Sequence, residues 1–356
     1  MSDSDADVLE MLETLSRSSG LPGHESGVSG VVADALRALC DEVRLDRLGN
    51  CIGLRRGEGE EPRPRVMFAA HMDEVGLIVT KIEEGGFLRF SSMGGVDPRI
   101  LPGSEVRVLG SGASLAGIVG VKPPHIIHED DTSEAIKADD MYIDTGLTEE
   151  EVRRRVRVGD VVSLNSTFAR LGGLVSGKSL DDRAGVAVLV DCARRLGRMR
   201  HEADVFLVAT IQEETGLRGA MVSTYGIAPD VGIAVDVTHG DMPGVPEHDT
   251  ARLGKGPAIA TGPNVHPAVF ARLKRVAEDN SIPFQVEVCP ESTGTDAWAM
   301  QVTKSGVATG VISVPVRYMH TSVEVAALDD VRHAGRLSAH FAASVDRGFS
   351  EGLRCY

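Results

Sequence analysis

From Ser176 to Val345, apolar runs of strand length alternate with amphipathic runs of helix length, and this alternation constrains the fold more than any other feature of the chain. Helices are expected at Arg183–Arg195, near Leu217–Tyr225, and at Pro267–Asp279, Asp296–Val302 and Leu328–Val345. Strands are expected at Asp204–Ile211, Gly232–Val237, Phe284–Val288 and Ala308–Val314. Such a succession builds a mainly parallel sheet covered by helices on both faces. Upstream, Val8–Leu15 and Val28–Leu39 carry helical periodicity, while "CIGLRR" and "RVMFAAH" read as strands. The second of these is apolar at nearly every position, as a strand buried on both faces must be.

Between Gly76 and Ala169 the texture differs. Short alternating runs ("GLIVTKI", "FLRFSS", "SEVRVLG", "AGIVGV", "DVVSLN") are broken by Gly and Pro, and only "TEEEVRRRV" suggests a short helix. This is a small all-β unit, barrel or sandwich. Because the strand at Arg65–His71 precedes it and the other strands of the sheet follow, it reads as an insertion into one α/β domain. The expected division is residues 1–75 plus 171–356 for the α/β domain and 76–170 for the insert.

A formal charge of −15, spread along 356 residues, leaves no basic stripe for phosphates, so nucleic acid is excluded as a partner. No apolar run approaches the roughly 18 residues that span a bilayer, and "MSDSDADVLEML" lacks the basic and apolar regions of a leader. A cytoplasmic protein without membrane contact is expected. Cys40, Cys51, Cys192, Cys289 and Cys355 are scattered without a C-x-x-C pair and read as reduced thiols.

In open α/β sheets, ligands bind at the carboxyl ends of the strands, so the polar residues just past each apolar run carry the functional information. "FAAHMDEVG" brings His71 and Asp73 to a strand exit, and "GKSLDDRAG" sets Asp181 and Asp182 ahead of a helix. "VATIQEETG" supplies Glu213 and Glu214, "GIAVDVTHG" supplies Asp236, and "VPVRYMHTS" delivers His320. Imidazoles and carboxylates converging on one crevice suit a pair of divalent transition metals, with zinc the first choice and cobalt or manganese also compatible. A carboxylate from Asp181 can bridge two ions, which would lower the pKa of water and polarise a carbonyl. One glutamate of the adjacent pair then binds metal while the other shuttles the proton.

Each piece also has a plainer reading. Asp181 and Asp182 could cap a helix, Glu213 and Glu214 could form a solvated turn, and His71 could be a satisfied core histidine. His320 and Asp236 admit the same structural explanation; what argues against it is that all five places fall at strand exits. His125 and His128 in "KPPHIIHED" read as a surface loop, and His239 as a possible pocket residue. "GGLVSGKS" formally matches a phosphate loop through Gly172, Gly177, Lys178 and Ser179, but an acidic pair follows it at once.

The strings "HMDEVG", "SLDDRAG", "QEETGLRGA", "DVT", "GTDAWAMQ" and "RYMHTSVE", with "VDPRILPG" and "VGVKPPH" in the insert, resemble in order and spacing the glutamyl-aminopeptidase and tetrahedral-aminopeptidase family. That family comprises cocatalytic dinuclear metallopeptidases, some labelled endoglucanases. The resemblance implies a zinc-peptidase-like α/β fold, a mainly parallel mixed sheet sandwiched by helices, with an inserted small β-barrel. It implies His71 and Asp236 as terminal ligands of one metal, Glu214 and His320 of the other, Asp181 as the bridge and Glu213 as general base. It further implies that Asp73 orients the His71 imidazole, that the peptide bond between Asp181 and Asp182 is cis, and that Thr293–Ala299 lies near the substrate. Two divalent ions per subunit, short peptides with a free N-terminus as substrates, and a homo-oligomer follow from the same resemblance. The oligomer would be a dimer building block or a hollow tetrahedral dodecamer held through the β insert. Arg317 and Lys178 are candidates for contacting an acidic N-terminal side chain, or else structural ion pairs. The rival functions are deacylation of N-acyl amino acids at the same metal site, a glycosidase using paired carboxylates, and a scaffold without catalysis.

Overall fold

The computed structural model describes residues 3–123 and 136–353, so His125, His128 and Cys355 lie outside the described residues. At its centre four strands run parallel in the order Asp204–Thr210, Arg65–His71, Val231–His239 and Ala308–Arg317. Arg65–His71 is buried at every position after Arg65. Val66, Phe68 and Ala70 face one apolar cluster while Met67 and Ala69 face another, so the strand has helices on both sides, as its uninterrupted hydrophobicity requires.

The long helix Leu180–Leu196 packs on one face together with Leu328–Ala343, Ser26–Arg37 and Asp3–Arg17. Phe68 meets Phe341 edge-on, with ring centroids 6.3 Å apart. Helices Arg218–Ile227 and Asp296–Gln301 cover the other face. Pro267–Asp279 starts and stops where its sequence signals lie: the His266 side chain accepts from the Ala268 amide, and Pro267 fills the first turn, where no N–H is needed.

Parallel pairing is concentrated in the centre. The flanks are antiparallel and built from short strands absent from the sequence expectation: Glu42–Leu45 at one edge, and Glu324–Ala327, Leu174–Gly177 and Ala169–Leu171 at the other. Ala258–Thr261 also pairs with Ala308–Arg317, and Gln285–Val288 adds to it in parallel, giving a mixed sheet of 11 strands among the described residues. The expected cut between residues 170 and 171 falls within one of these edge strands.

The segment between the first and later central strands closes into a six-stranded antiparallel barrel, in the order Gly76–Ile82, Leu88–Met93, Tyr142–Asp144, Leu115–Gly120, Glu105–Leu109 and Val161–Leu164. Its interior is a separate apolar cluster that includes Leu77, Leu88, Val108, Ile143 and Val162. Closure removes the edges that such short strands would otherwise expose. Helix Glu149–Arg155 is held by a capping box between Thr148 and Glu151.

A Phe68→Ala substitution opens a void in a strand packed on both faces and is expected to cost about 3–5 kcal/mol of stability. Urea unfolding measures it, and an unchanged midpoint contradicts this packing.

Candidate metal centre

The carboxyl ends of the central strands deliver the polar residues to one place. His71 is the last residue of its strand, and Glu213 and Glu214 follow the strand ending at Thr210. His320 follows the strand ending at Arg317. Asp236 departs from the expected pattern: its strand continues to His239, so this carboxylate projects from within the strand and not from its exit. Asp181 arrives from the opposite direction, at the start of the helix Leu180–Leu196, where it and Asp182 keep non-helical backbone angles and are joined by a cis peptide bond.

These side chains converge. His71 Nε2 lies 3.1 Å from Asp181 Oδ1, and His320 Nε2 lies 3.2 Å from Asp181 Oδ2 and 3.4 Å from Glu214 Oε1. Asp236 Oδ1 and Glu213 Oε2 each stand 3.9 Å from His71 Nε2. Two donor groups result, His71 with Asp181 and Asp236, and Asp181 with Glu214 and His320, each with its ligand atoms within 4.8 Å of one another. Asp181 belongs to both. Either group could hold a metal ion, and mixed imidazole and carboxylate donors are the set that zinc accepts.

Both imidazoles are oriented from behind. His71 Nδ1 donates to the Asp73 main-chain oxygen at 3.2 Å, and His320 Nδ1 donates to the Gly95 carbonyl at 3.0 Å. With Nδ1 committed as a donor, loss of the Nε2 proton leaves the Nε2 lone pair directed into the centre, the arrangement a metal ligand needs. Gly95 comes from the barrel, and a Cβ there would sit 2.7 Å from the His320 ring, so only glycine allows this contact.

Other acids hold main chain. The Asp73 carboxylate accepts from the amides of Glu213 at 3.0 Å and Glu214 at 3.1 Å, and it stands 3.6 Å from His71 Nδ1. Its principal hydrogen bonds therefore position the two glutamates, while its carbonyl serves the imidazole. Glu324, which the sequence reading did not single out, accepts from the Asp181 amide at 3.0 Å and the His320 amide at 2.8 Å. It thereby secures His320 in a left-handed backbone conformation, φ 61°, which costs a residue with a side chain about 1 kcal/mol or more. Asp182 accepts from the His71 amide through one oxygen and from the Gly185 amide through the other, so the helix-capping reading of the acidic pair holds for Asp182 alone. The solvated-turn reading of the glutamates does not hold, since only 10% of the Glu213 side chain and 7% of that of Glu214 are exposed.

Crowding acids and imidazoles away from water shifts several of them. Burial, reinforced by Asp236, Asp296 and Glu214, pushes the Glu213 carboxyl up to about 10. Burial raises Asp236 to about 8, with Asp181 adding to the shift. Burial opposes the charge of His71, yet hydrogen bonds to Asp181 and Asp73 raise it well above the ordinary range. Hydrogen bonds to Asp181 and Glu214 lift His320 to about 11. Asp181 itself is lowered: burial works against its charge, but both imidazoles hold it ionised. Behind the cleft, burial raises Asp296 to about 6, and its Oδ2 accepts from the Thr210 hydroxyl at 2.6 Å.

The centre opens into a cleft of about 270 Å³ that also takes in His239 and the stretch Thr293–Thr295. Lys178 does not reach it as a phosphate or substrate ligand. Its ammonium is buried against Glu74 and the Ser18 carbonyl, which removes the phosphate-loop reading. Arg317 is paired with Asp241 at 2.8 Å, a structural ion pair. No helix among the described residues is long and apolar enough to cross a membrane.

The sheet gathers imidazoles and carboxylates near its strand ends, with a barrel inserted after Arg65–His71, and comparison places the chain in a class of hydrolases, the aminopeptidases. Residues 49–337 match the family model described as M42 glutamyl aminopeptidase, and the chain belongs to that family. It is 40% identical to a lysyl aminopeptidase of Pyrococcus furiosus over 334 residues, 92% of this chain and 95% of that protein. The structure matches that of an aminopeptidase from the archaeon Desulfurococcus kamchatkensis with a TM-score of 0.92 and 36% identity, covering 98% of each chain. It matches a TET peptidase of Pyrococcus horikoshii, described as able to assemble into a tetrahedron or a large octahedral shell, with a TM-score of 0.84. That alignment is 32% identical and covers 95% of this chain and 100% of the other.

Glu213, Asp236 and His320 are all raised relative to the unfolded chain, so they hold protons that unfolding releases. Stability is therefore lost as pH rises through the folded values of about 8 for Asp236, about 10 for Glu213 and about 11 for His320. Chelator-treated protein is expected to melt lower at about pH 9 than at about pH 6, and zinc or cobalt to raise the midpoint more at the higher pH. Thermal scans across pH with and without added metal check this; an equal metal effect at both pH values contradicts it. Removing the Glu324 carboxylate by Glu324→Ala is expected to weaken zinc binding about 10- to 100-fold, measured by calorimetric titration.

Proposed function

We propose that the protein is a metal-dependent aminopeptidase that releases N-terminal residues from short peptides. The observation that carries this reading is the membership of Asp181 in both donor groups, with Glu213 beside the centre and in neither. In this reading His71 and Asp236 are the terminal ligands of one divalent ion, Glu214 and His320 those of a second, and Asp181 is shared. Zinc suits the donors best, with cobalt or manganese as substitutes. Bound there, two such ions would supply the Lewis acidity that polarises a peptide carbonyl and eases deprotonation of water.

The residues of the chain do the rest. Glu213 accepts the proton of the attacking water on a carboxylate oxygen and returns it to the leaving amine nitrogen as the C–N bond breaks. Asp73 holds the main chain of Glu213 and Glu214 together, so that ligand and base keep a fixed separation. The acidic lining repels a peptide carboxylate and accommodates a free ammonium, which suits attack at the amino end. We read the α/β unit as the catalytic part and the barrel as the surface through which copies assemble. The assembling TET peptidase supports a homo-oligomer, and light scattering separates a dimer from a dodecamer.

Activity on amino-acid p-nitroanilides is expected to require added zinc, cobalt or manganese and to vanish with a chelator. Glu213→Gln is expected to lower kcat by about 100- to 10,000-fold while two equivalents of metal still bind. Full activity in that variant removes the proposed base. Turnover of N-acylated substrates in preference to free amines would favour a deacylase, and cellulose hydrolysis with chelator present a glycosidase.

A further inference from the structure

We infer that Glu287 selects peptides whose N-terminal residue carries a cationic side chain, lysine or arginine, an inference that rests on the aminopeptidase reading above. The register of the sheet sets the geometry. Asp236 pairs with Ser313, Ser313 with Ala258, and two residues along that strand Ala260 pairs with Glu287. Residues two apart on a strand share a face, so Glu287 stands on the same face as the candidate ligand Asp236, on the outermost strand of the series.

The sheet curls to bring that strand back over the cleft. The Thr238 hydroxyl, on the strand of Asp236, donates to Glu287 Oε1 at 2.6 Å even though the strands Ala308–Arg317 and Ala258–Thr261 lie between the two. The cleft that Glu287 shares with the candidate metal centre also has apolar groups in its lining, Ala260, Val311 and Met319, among polar ones such as Ser313 and Thr293. A cleft that holds these apolar groups and a carboxylate next to the candidate metal centre can receive an aliphatic stem that ends in a positive charge.

Among the described residues no lysine or arginine lines the cleft, and none forms an ion pair with Glu287. Only Oε1 accepts a hydrogen bond from a described residue; Oε2 takes none. A half-buried acid so placed gains by receiving a cation and repels an acid. An ammonium or guanidinium at the end of an unbranched stem meets both the apolar groups of the cleft and its carboxylate. An acidic N-terminal side chain meets neither.

The test compares lysyl-, arginyl-, leucyl- and glutamyl-p-nitroanilides on the metal-loaded protein and on Glu287→Gln and Glu287→Lys. The wild type is expected to favour lysyl and arginyl over glutamyl substrates. Glu287→Gln is expected to lower the lysyl-to-leucyl ratio of kcat/KM by about 10- to 100-fold, the worth of one charge-assisted contact. Glu287→Lys is expected to move the preference toward the glutamyl substrate. Turnover of the leucyl substrate with no preference for lysyl, or an unchanged ratio in Glu287→Gln, overturns this inference alone. Absence of turnover on every substrate overturns the aminopeptidase reading and this one with it.

Discussion

Everything in this molecule is arranged around like charges brought together away from water. Asp181, Glu213, Glu214 and Asp236 share one cleft with two imidazoles, and burial makes their mutual repulsion stronger than it would be at the surface. The protein groups answer in the ways open to them: Glu213 and Asp236 are pushed toward their neutral forms, the imidazoles toward their charged ones, and Asp181 between those imidazoles stays ionised. Divalent cations relieve the same repulsion from the other side. A site that is costly to assemble from protein alone is for that reason a good cation site.

Holding such a cluster requires backbone that cannot relax, and acids next to the cluster provide it. Asp73 ties two successive amides, Glu324 ties Asp181 to His320, and Asp182 ties the His71 amide to the first turn of a helix. The bonds of Asp73 to the two glutamates, of Glu324 to Asp181 and of Asp182 to His71 each join segments more than 100 positions apart in sequence. Farther back, the buried Arg183 guanidinium donates to the Leu15 and Ser18 carbonyls and lies within the fields of Glu74, Asp73 and Asp182, a fixed positive charge beneath the acids.

What could be read from the sequence follows from this division of labour. Arg65–His71 and Pro267–Asp279 were legible end to end because burial on both faces and a proline in the first turn leave marks in the residue pattern itself. The convergence of His71, Glu213, Glu214 and His320 was legible because strand exits are where such residues gather; Asp181 joins them from a helix start and Asp236 from within its strand. Glu324–Ala327 and Leu174–Gly177 were not, since four-residue strands carry no period long enough to recognise. Glu324 itself was hidden for another reason: an acid that accepts from main-chain amides has no partner residue type for the sequence to display. Asp73 was noticed, but its larger task, holding the glutamates, depends on amides some 140 positions away.

The Gly95 carbonyl is a small contact with a wide reach. It belongs to the barrel, yet it decides how a ring of the neighbouring unit is turned. Two structural units that look separable on a topology diagram therefore meet in a single ring orientation. A graft that exchanged this barrel for another would have to reproduce that one backbone oxygen, and any load on the barrel that tilts it would be felt as a change in imidazole angle.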